Sequence, residues 1–272
     1  MPIMFEEYTQ IAIETAKRAG KILLEGFGTS FKISSKEGKN NLVTEYDNRS
    51  EEFIINSLFK KFPDFSFLAE ESGSSNNVHS DGYLWVIDPL DGTVNYAHNL
   101  PIFSVSIALI KNREILCGII YNPVLDELFV AEKNKGSFLN SEPIKVSNCN
   151  KLDNSFLVTG FPYNIDSNPG HCVDQFVQML KRGIPVRRLG SAALDLAYVA
   201  AGRFDGFWEI NLNPWDVAAG VLLVHEAGGL VTQYNLDTYW IFDNNILATN
   251  GLIHKELSDS LISCYLELNN GN

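Results

Sequence analysis

Two aspartates three residues apart, Asp88 and Asp91, stand in the stretch VIDPLDGTVNY (86–96), directly after an apolar run. Pro89 fixes its own φ and Gly92 permits a close or positive-φ path, so a loop here can turn both carboxylates toward one point. An Asp-Pro/Asp-Gly turn without chemical consequence carries the same local signature. Other acids weigh on the choice: Glu70 and Glu71 follow FSFLA, Asp216 in PWD opens an apolar helix, and Asp47 closes LVTEYD. Each also has an ordinary reading, as a solvated surface acid, a helix-start acid or a helix cap. Gathered in one cleft, like-charged pairs about 4 Å apart would repel by roughly 4 kcal/mol at an effective dielectric near 20. Such a cluster persists only with protonated carboxylates or bound cations, and oxygen ligands without His or Cys favour Mg²⁺ or Mn²⁺. Ser191 in GSAALDL is a good N-cap, and the same helix mouth offers backbone N–H groups to a phosphate or hydroxyl.

Periodic patterns mark the elements that must carry these residues. Residues 5–26 read as an amphipathic helix with Tyr8, Ile11, Ala12, Ala16, Ala19 and Leu23 on one stripe, and residues 46–62 as a second, stopped by Pro63. The apolar runs FSFLA, YLWVI, IFSVSIALI, ILCGIIYN and ELFVA then follow in quick succession, which predicts a largely antiparallel sheet. Within them Phe103, Val105, Ile107 and Leu109 alternate with Ser104, Ser106 and Ala108, the period of a half-buried strand. After about residue 150 strands alternate with helices expected near 170–182, 191–202, 214–227 and 252–267. A soft boundary near 145–155 therefore divides an N-terminal α+β half, 1–150, from a C-terminal α/β half, 151–272, that carries Asp216. The net charge of −12, from 21 Lys plus Arg and 33 Asp plus Glu, argues against a nucleic-acid surface. No apolar run reaches membrane-spanning length and the first residues lack a basic leader, so a cytoplasmic protein is expected. The four cysteines show no CxxC spacing, so neither disulfide nor thiolate metal chemistry is expected.

Taken together the motifs resemble the inositol monophosphatase family of metal-dependent, lithium-sensitive phosphatases, in its bacterial form. LVTEYD (42–47), AEES (69–72), WVIDPLDGTVNY (85–96), GSAALDLAYVAAG (190–202) and PWDVAAGVLLVHEAGG (214–229) run in the family's order, and the tail ILATNGLIHKEL fits too. The pair DPLDGT and WDVAAG is highly specific. The resemblance implies an α-β-α-β-α layered sandwich of the sugar-phosphatase kind, with a mostly antiparallel N-terminal sheet and a mixed C-terminal one. It implies that Glu70, Asp88 and the carbonyl of Leu90 hold one Mg²⁺, that Asp88, Asp91 and Asp216 hold a second, and that a weaker third leans on Glu70 and water. Thr93 with Asp47 would orient and deprotonate the attacking water, while Gly92 and Thr93 offer N–H groups to the phosphate. Gly190, Ser191 and Ala192 would line the substrate pocket beside Asp91 and Asp216, Glu209 would contact substrate hydroxyls, and Lys36 (or Lys39) would close over the site. Ala69 replaces a common glycine, Val94 a frequent threonine and Tyr96 a frequent phenylalanine; no ligand position departs.

The implied activity is hydrolysis of an inositol monophosphate by direct attack of metal-activated water, in a homodimer acting on a small phosphorylated polyol or sugar. Fructose 1,6-bisphosphate, histidinol phosphate and adenosine 3′,5′-bisphosphate are the alternative substrates, and a non-enzymatic, metal-dependent regulatory partner is the alternative from another class. A haloacid-dehalogenase-type site is disfavoured because its D-x-D-G-T motif sets the acids two apart, not three. His98 is expected to face solvent or pack, Arg187 and Arg188 to serve structure or an interface, and TYWIF (238–242) to end a strand or form a patch.

Overall fold

The computed structural model describes residues 5–35, 42–75 and 82–269. The loop lysines Lys36 and Lys39 lie outside the described residues. Helix α1 (Glu7–Gly26) is followed by the short strands β1 (Ile33–Ser35) and β2 (Leu42–Thr44), and then by α2 (Glu45–Lys61). Thr44 and Asp47 start α2 with a reciprocal capping box, and Pro63 lies just beyond its end. Strands β3 (Ser66–Ala69), β4 (Gly73–Ser74), β5 (Tyr83–Asp91), β6 (Ser104–Lys111), β7 (Glu114–Asn122), β8 (Glu127–Glu132), β9 (Gly136–Leu139) and β10 (Glu142–Ile144) form one sheet, with helix α3 (Thr93–Ala97) between β5 and β6. Its order is β10-β9-β8-β7-β6-β5-β3-β4, antiparallel except where β3 runs parallel to β5.

The remainder alternates as the sequence suggested: β11 (Leu157–Thr159), α4 (Cys172–Lys181), β12 (Val186–Arg187), α5 (Ala192–Ala200), β13 (Gly206–Ile210), α6 (Pro214–Glu226), β14 (Leu230–Thr232), β15 (Asn245–Thr249) and α7 (His254–Asn269). This sheet has the order β12-β11-β13-β15-β14 and is mixed: β11 is parallel to β12 and β13, while β15 is antiparallel to β13 and β14. Helices α5 and α6 fill the space between the two sheets in one apolar cluster. Helices α1 and α2 cover the outer face of the large sheet, and α4 and α7 the outer face of the small one. The layers are thus α-β-α-β-α.

That stacking corrects one expectation. The alternating strand in IFSVSIALI is buried on both faces from Ser104 to Ile110, not half-buried. Its large residues Val105, Ile107 and Leu109 pack under α1 and α2, whereas its small residues face α6, where Ser106 Oγ donates to Trp215 O at 3.3 Å. On the neighbouring strand a Cβ at Gly118 would meet Ala219 O at 2.6 Å. Small residues here mark close helix approach, which in sequence looks like a solvated face.

Candidate active site

Asp88 and Asp91 are not in a loop after a strand, as expected, but at the C-terminal end of β5 itself. The reason lies in the pairing with β6: Asp88 opposes Ser106 and Asp91 opposes Ser104, so three steps on β5 match two on β6. In a regular strand residues i and i+3 face opposite sides. The bulge inserts the extra residue at Pro89-Leu90, where a proline could not donate to the ladder anyway, and returns both aspartates to one face. Gly92, at φ 94°, then breaks the strand and begins α3. A Cβ there would lie 2.9 Å from Ile102 O, so both conformation and space demand glycine.

The remaining acids arrive at this face from separate elements. Glu70 directly follows β3, the strand parallel to β5, and its N–H donates to Ile87 O at 3.2 Å. Asp216 stands in the first turn of α6, where Oδ2 accepts from Asn213 N at 2.7 Å in a second capping box. Asp47 is wholly buried in the first turn of α2. Its Oδ2 accepts from Thr44 N at 2.8 Å and Thr44 Oγ1 at 2.5 Å, while Oδ1 accepts from Thr93 Oγ1 at 3.1 Å. Thr93 Oγ1 also lies 3.1 Å from Leu90 O, and Leu90 N donates to Asp88 Oδ1 at 2.9 Å. The helix cap and the Thr93 contact of Asp47 are therefore carried by different oxygens of one group.

The mouth of α5 is engaged differently from the expectation that its N–H groups stand free for a phosphate. Ser191 Oγ accepts from Leu194 N at 3.4 Å as an N-cap and donates to Asp91 Oδ2 at 2.6 Å, and Ala193 N donates to the same oxygen at 2.8 Å. The positive helix end thus holds a site carboxylate. Gly190 and Ala192 flank Ser191, and Asn95 Nδ2 reaches across from α3 to Ile102 O and Leu189 O, both at 2.8 Å. Glu209, on β13, is buried, and among the described residues no side-chain hydrogen bond holds its carboxylate.

Burial is the main cause of every acid shift here, because desolvation penalises the anion. It raises Asp47 to about 6, against the pull of its Thr44 hydrogen bonds, and Asp91 to about 6, against those from Ser191 and Ala193. Asp88 is pushed well above the usual carboxylate range by burial and then by Glu70, Asp91 and Asp216. Asp216 is raised by burial, Asp91 and Glu70, and Glu209 by burial, Asp216 and Asp91 against a lowering influence of Arg188. The charges acting on Asp88 are all acidic, and the donors are all oxygens, the set that suits Mg²⁺. The residues fit that ion on these grounds. Among the described residues no group of three or more acidic, histidine or cysteine side chains stands placed to hold a metal ion.

Several contributors were invisible in the sequence. Glu51, buried on α2, accepts from Glu71 N and Ser72 N, both at 2.8 Å, and so ties down the segment carrying Glu70. Ser50 Oγ donates to Pro89 O at 2.9 Å within the bulge. Asp195 is buried on α5 with Oδ1 unpartnered, and burial, Glu209 and Asp91 together raise its pKa. Of the residues set aside, His98 is exposed, Arg187 lies over the Phe156 ring at 4.9 Å, and Arg188 over Phe161 at 5.6 Å. In TYWIF, Thr238 forms a single bridge with Thr232, Ile241 is buried and Phe242 is exposed.

Comparison with known proteins gives the family. The model described as the inositol monophosphatase family matches residues 4–267. An inositol-1-monophosphatase of Synechocystis sp. is 43% identical over 265 residues, covering 96% of this chain and 90% of that relative. A protein of Escherichia coli named Nus factor SuhB is 40% identical over 261 residues, covering 92% and 97%. The solved structure of an inositol monophosphatase from Anabaena (Nostoc) sp. superposes with a TM-score of 0.84 at 44% identity, covering 94% of this chain and 95% of that one. The chain belongs to the inositol monophosphatase family, whose members are phosphoric monoester hydrolases.

Proposed function

We propose that this protein hydrolyses an inositol monophosphate to inositol and phosphate, with two to three Mg²⁺ ions held by Glu70, Asp88, Leu90 O, Asp91 and Asp216. The observation that carries the reading is the single face shared by Asp88 and Asp91, onto which Thr93 and Asp47 also open. When bound, the cations would neutralise the phosphate oxygens, steady the leaving alkoxide and acidify the attacking water. The chain's own groups would place that water. Thr93 Oγ1 donates toward Asp47 Oδ1, which leaves its lone pairs to accept from water, and Asp47 is the terminal proton acceptor. The N–H groups of Gly92 and Thr93 would take phosphate oxygens, and Gly190, Ser191, Ala192 and Glu209 would bound the polyol, with Glu209 reading its hydroxyls. Attack would be direct, without a phosphoenzyme, since Thr93 follows closely on the two aspartates and no Ser-His or Cys-His pair accompanies the acids among the described residues.

Phosphate release with Mg²⁺ tests the reading on inositol 1-phosphate, fructose 1,6-bisphosphate, histidinol phosphate and adenosine 3′,5′-bisphosphate. A preference above about tenfold (about 1.4 kcal/mol in the transition state) for the last would overturn the polyol assignment. Asp91→Asn is expected to lose most turnover at saturating Mg²⁺ with the fold retained by circular dichroism; near-wild-type turnover would refute the ligand set. The likeness to a relative named a Nus factor favours a second, additional role as a regulatory binding partner, for which a stable protein complex that forms equally with the Asp91→Asn variant is the expected sign.

A further inference from the structure

Gly160 directly follows β11, and the parallel register pairs Thr159 with Trp208, which makes Gly160 the neighbour of Glu209 across the ladder. A Cβ at Gly160 would lie 2.2 Å from Glu209 Oε2 and 2.4 Å from both Oε1 and Cδ. Its backbone does not sit in the left-handed region, so the conformation itself would accept alanine. Glycine is needed here for space alone.

The backbone cannot easily retreat from such a methyl, because Thr159 Oγ1 donates to Trp208 O at 2.6 Å and locks the two strands together. Nor does a side-chain hydrogen bond among the described residues fix the Glu209 carboxylate; its position is set by the surfaces that enclose it. Asp195 Oδ1 lacks a partner and the Asp195 carboxyl is raised in part by Glu209, so the two acids leave little welcome for a displaced anion.

We propose that Gly160 is a specificity-determining positioning residue: its bare Cα is the seat that holds the Glu209 carboxylate where it meets the substrate's hydroxyls. The inference rests on the reading of Glu209 as the hydroxyl contact. A side chain at 160 turns the carboxylate out of the pocket and removes a charge-assisted contact, with the phosphate and cation groups left in place. The discrimination between a polyol phosphate and a phosphate without hydroxyls is then lost.

The test compares wild type, Gly160→Ala and Gly160→Ala/Glu209→Asp on inositol 1-phosphate and p-nitrophenyl phosphate at saturating Mg²⁺. The ratio of kcat/KM for the two substrates is expected to fall about tenfold or more in Gly160→Ala, the worth of one hydrogen bond to a charged group. It should partly recover in the double variant, whose acid is shorter by one methylene; an unchanged ratio, or no recovery, overturns the proposal. A crystal structure of Gly160→Ala decides the positioning claim whatever substrate the wild type prefers: the Glu209 carboxylate displaced supports it, the carboxylate in place refutes it. If Gly160→Ala folds poorly, Gly160→Ala/Glu209→Ala should restore its melting temperature, and failure to do so counts against the seat. Absence of any wild-type preference for inositol 1-phosphate would sink the functional reading alone.

Discussion

Under the proposed function, the single carboxylate of Asp47 serves the fold and the chemistry at once. Oδ2 closes the capping box of α2 through Thr44, and Oδ1 receives the Thr93 hydroxyl. Replacing Thr93 therefore separates the two duties, because α2 keeps its cap. Thr93→Ala is expected to lower kcat by about 10²-fold or more, the scale of a misplaced general base, with little change in melting temperature. Thr93→Ser, which keeps the hydroxyl, should retain most of the rate; steady-state kinetics of the two variants provide the check. Equal losses in both would mean that the methyl packing of Thr93 matters and the hydroxyl does not. Asp91 has the same double character, since the α5 mouth that binds its Oδ2 is also a helix N-terminus needing a partner.

At the scale of elements, the site depends on how strand ends and helix starts are fastened to one another. Glu51 is the fastening for the segment after β3: its two oxygens take the N–H groups of Glu71 and Ser72. Glu51→Ala should cost about 2 kcal/mol through two lost hydrogen bonds to a charged, buried group. Glu70 would then be less well held, so the Mg²⁺ concentration for half-maximal activity is expected to rise severalfold. A thermal melt and a Mg²⁺ titration of activity check both parts; a lower melting point with an unchanged Mg²⁺ requirement would leave Glu51 a purely structural tie. Glu51 shows as well where the sequence stops being legible. In NRSEEF it is one of two adjacent acids, and only the helix phase relative to a segment some 20 residues away distinguishes it from the exposed Glu52. The β5 bulge was hidden for a related reason, because a bulge is a property of two strands and its register is written on β6. The starts of α5 and α6 were readable, since Ser191, Pro214 and Asp216 carry local capping chemistry, whereas the cap of α2 is Thr44 and not the Asp47 that the sequence suggested. The double burial of β6 was not, because serine and alanine under a helix resemble serine and alanine under water.

For the molecule as a whole, two large sheets and three helix layers bring together acids from α2, the segment after β3, β5, β13 and α6 in a chain whose net charge is already −12. Asp47 and Asp91 are raised to about 6, and Asp88, Asp216 and Glu209 are raised well above the carboxylate range, all chiefly by burial. In the unfolded chain such acids titrate near 4. The folded protein without metal therefore binds these protons more tightly than the unfolded chain does. The stability contributed by these groups is complete below about pH 4 and is lost as pH rises through about 6 and beyond. Cations and protons compete for the same oxygens, so Mg²⁺ can bind only by displacing protons at low pH and binds ready-made anions at higher pH. Binding to the folded state raises the melting temperature, with a stabilisation that grows as the logarithm of the free ion concentration over its Kd. At one fixed Mg²⁺ concentration, the rise in melting temperature over an EDTA control is expected to be larger at pH 7.5 than at pH 5. The Asp91→Asn variant, with one carboxylate fewer, should show a smaller rise at pH 7.5. Differential scanning fluorimetry at the two pH values measures both differences, and an equal Mg²⁺ effect at pH 5 and pH 7.5 would show that the buried acids are not where the cation binds.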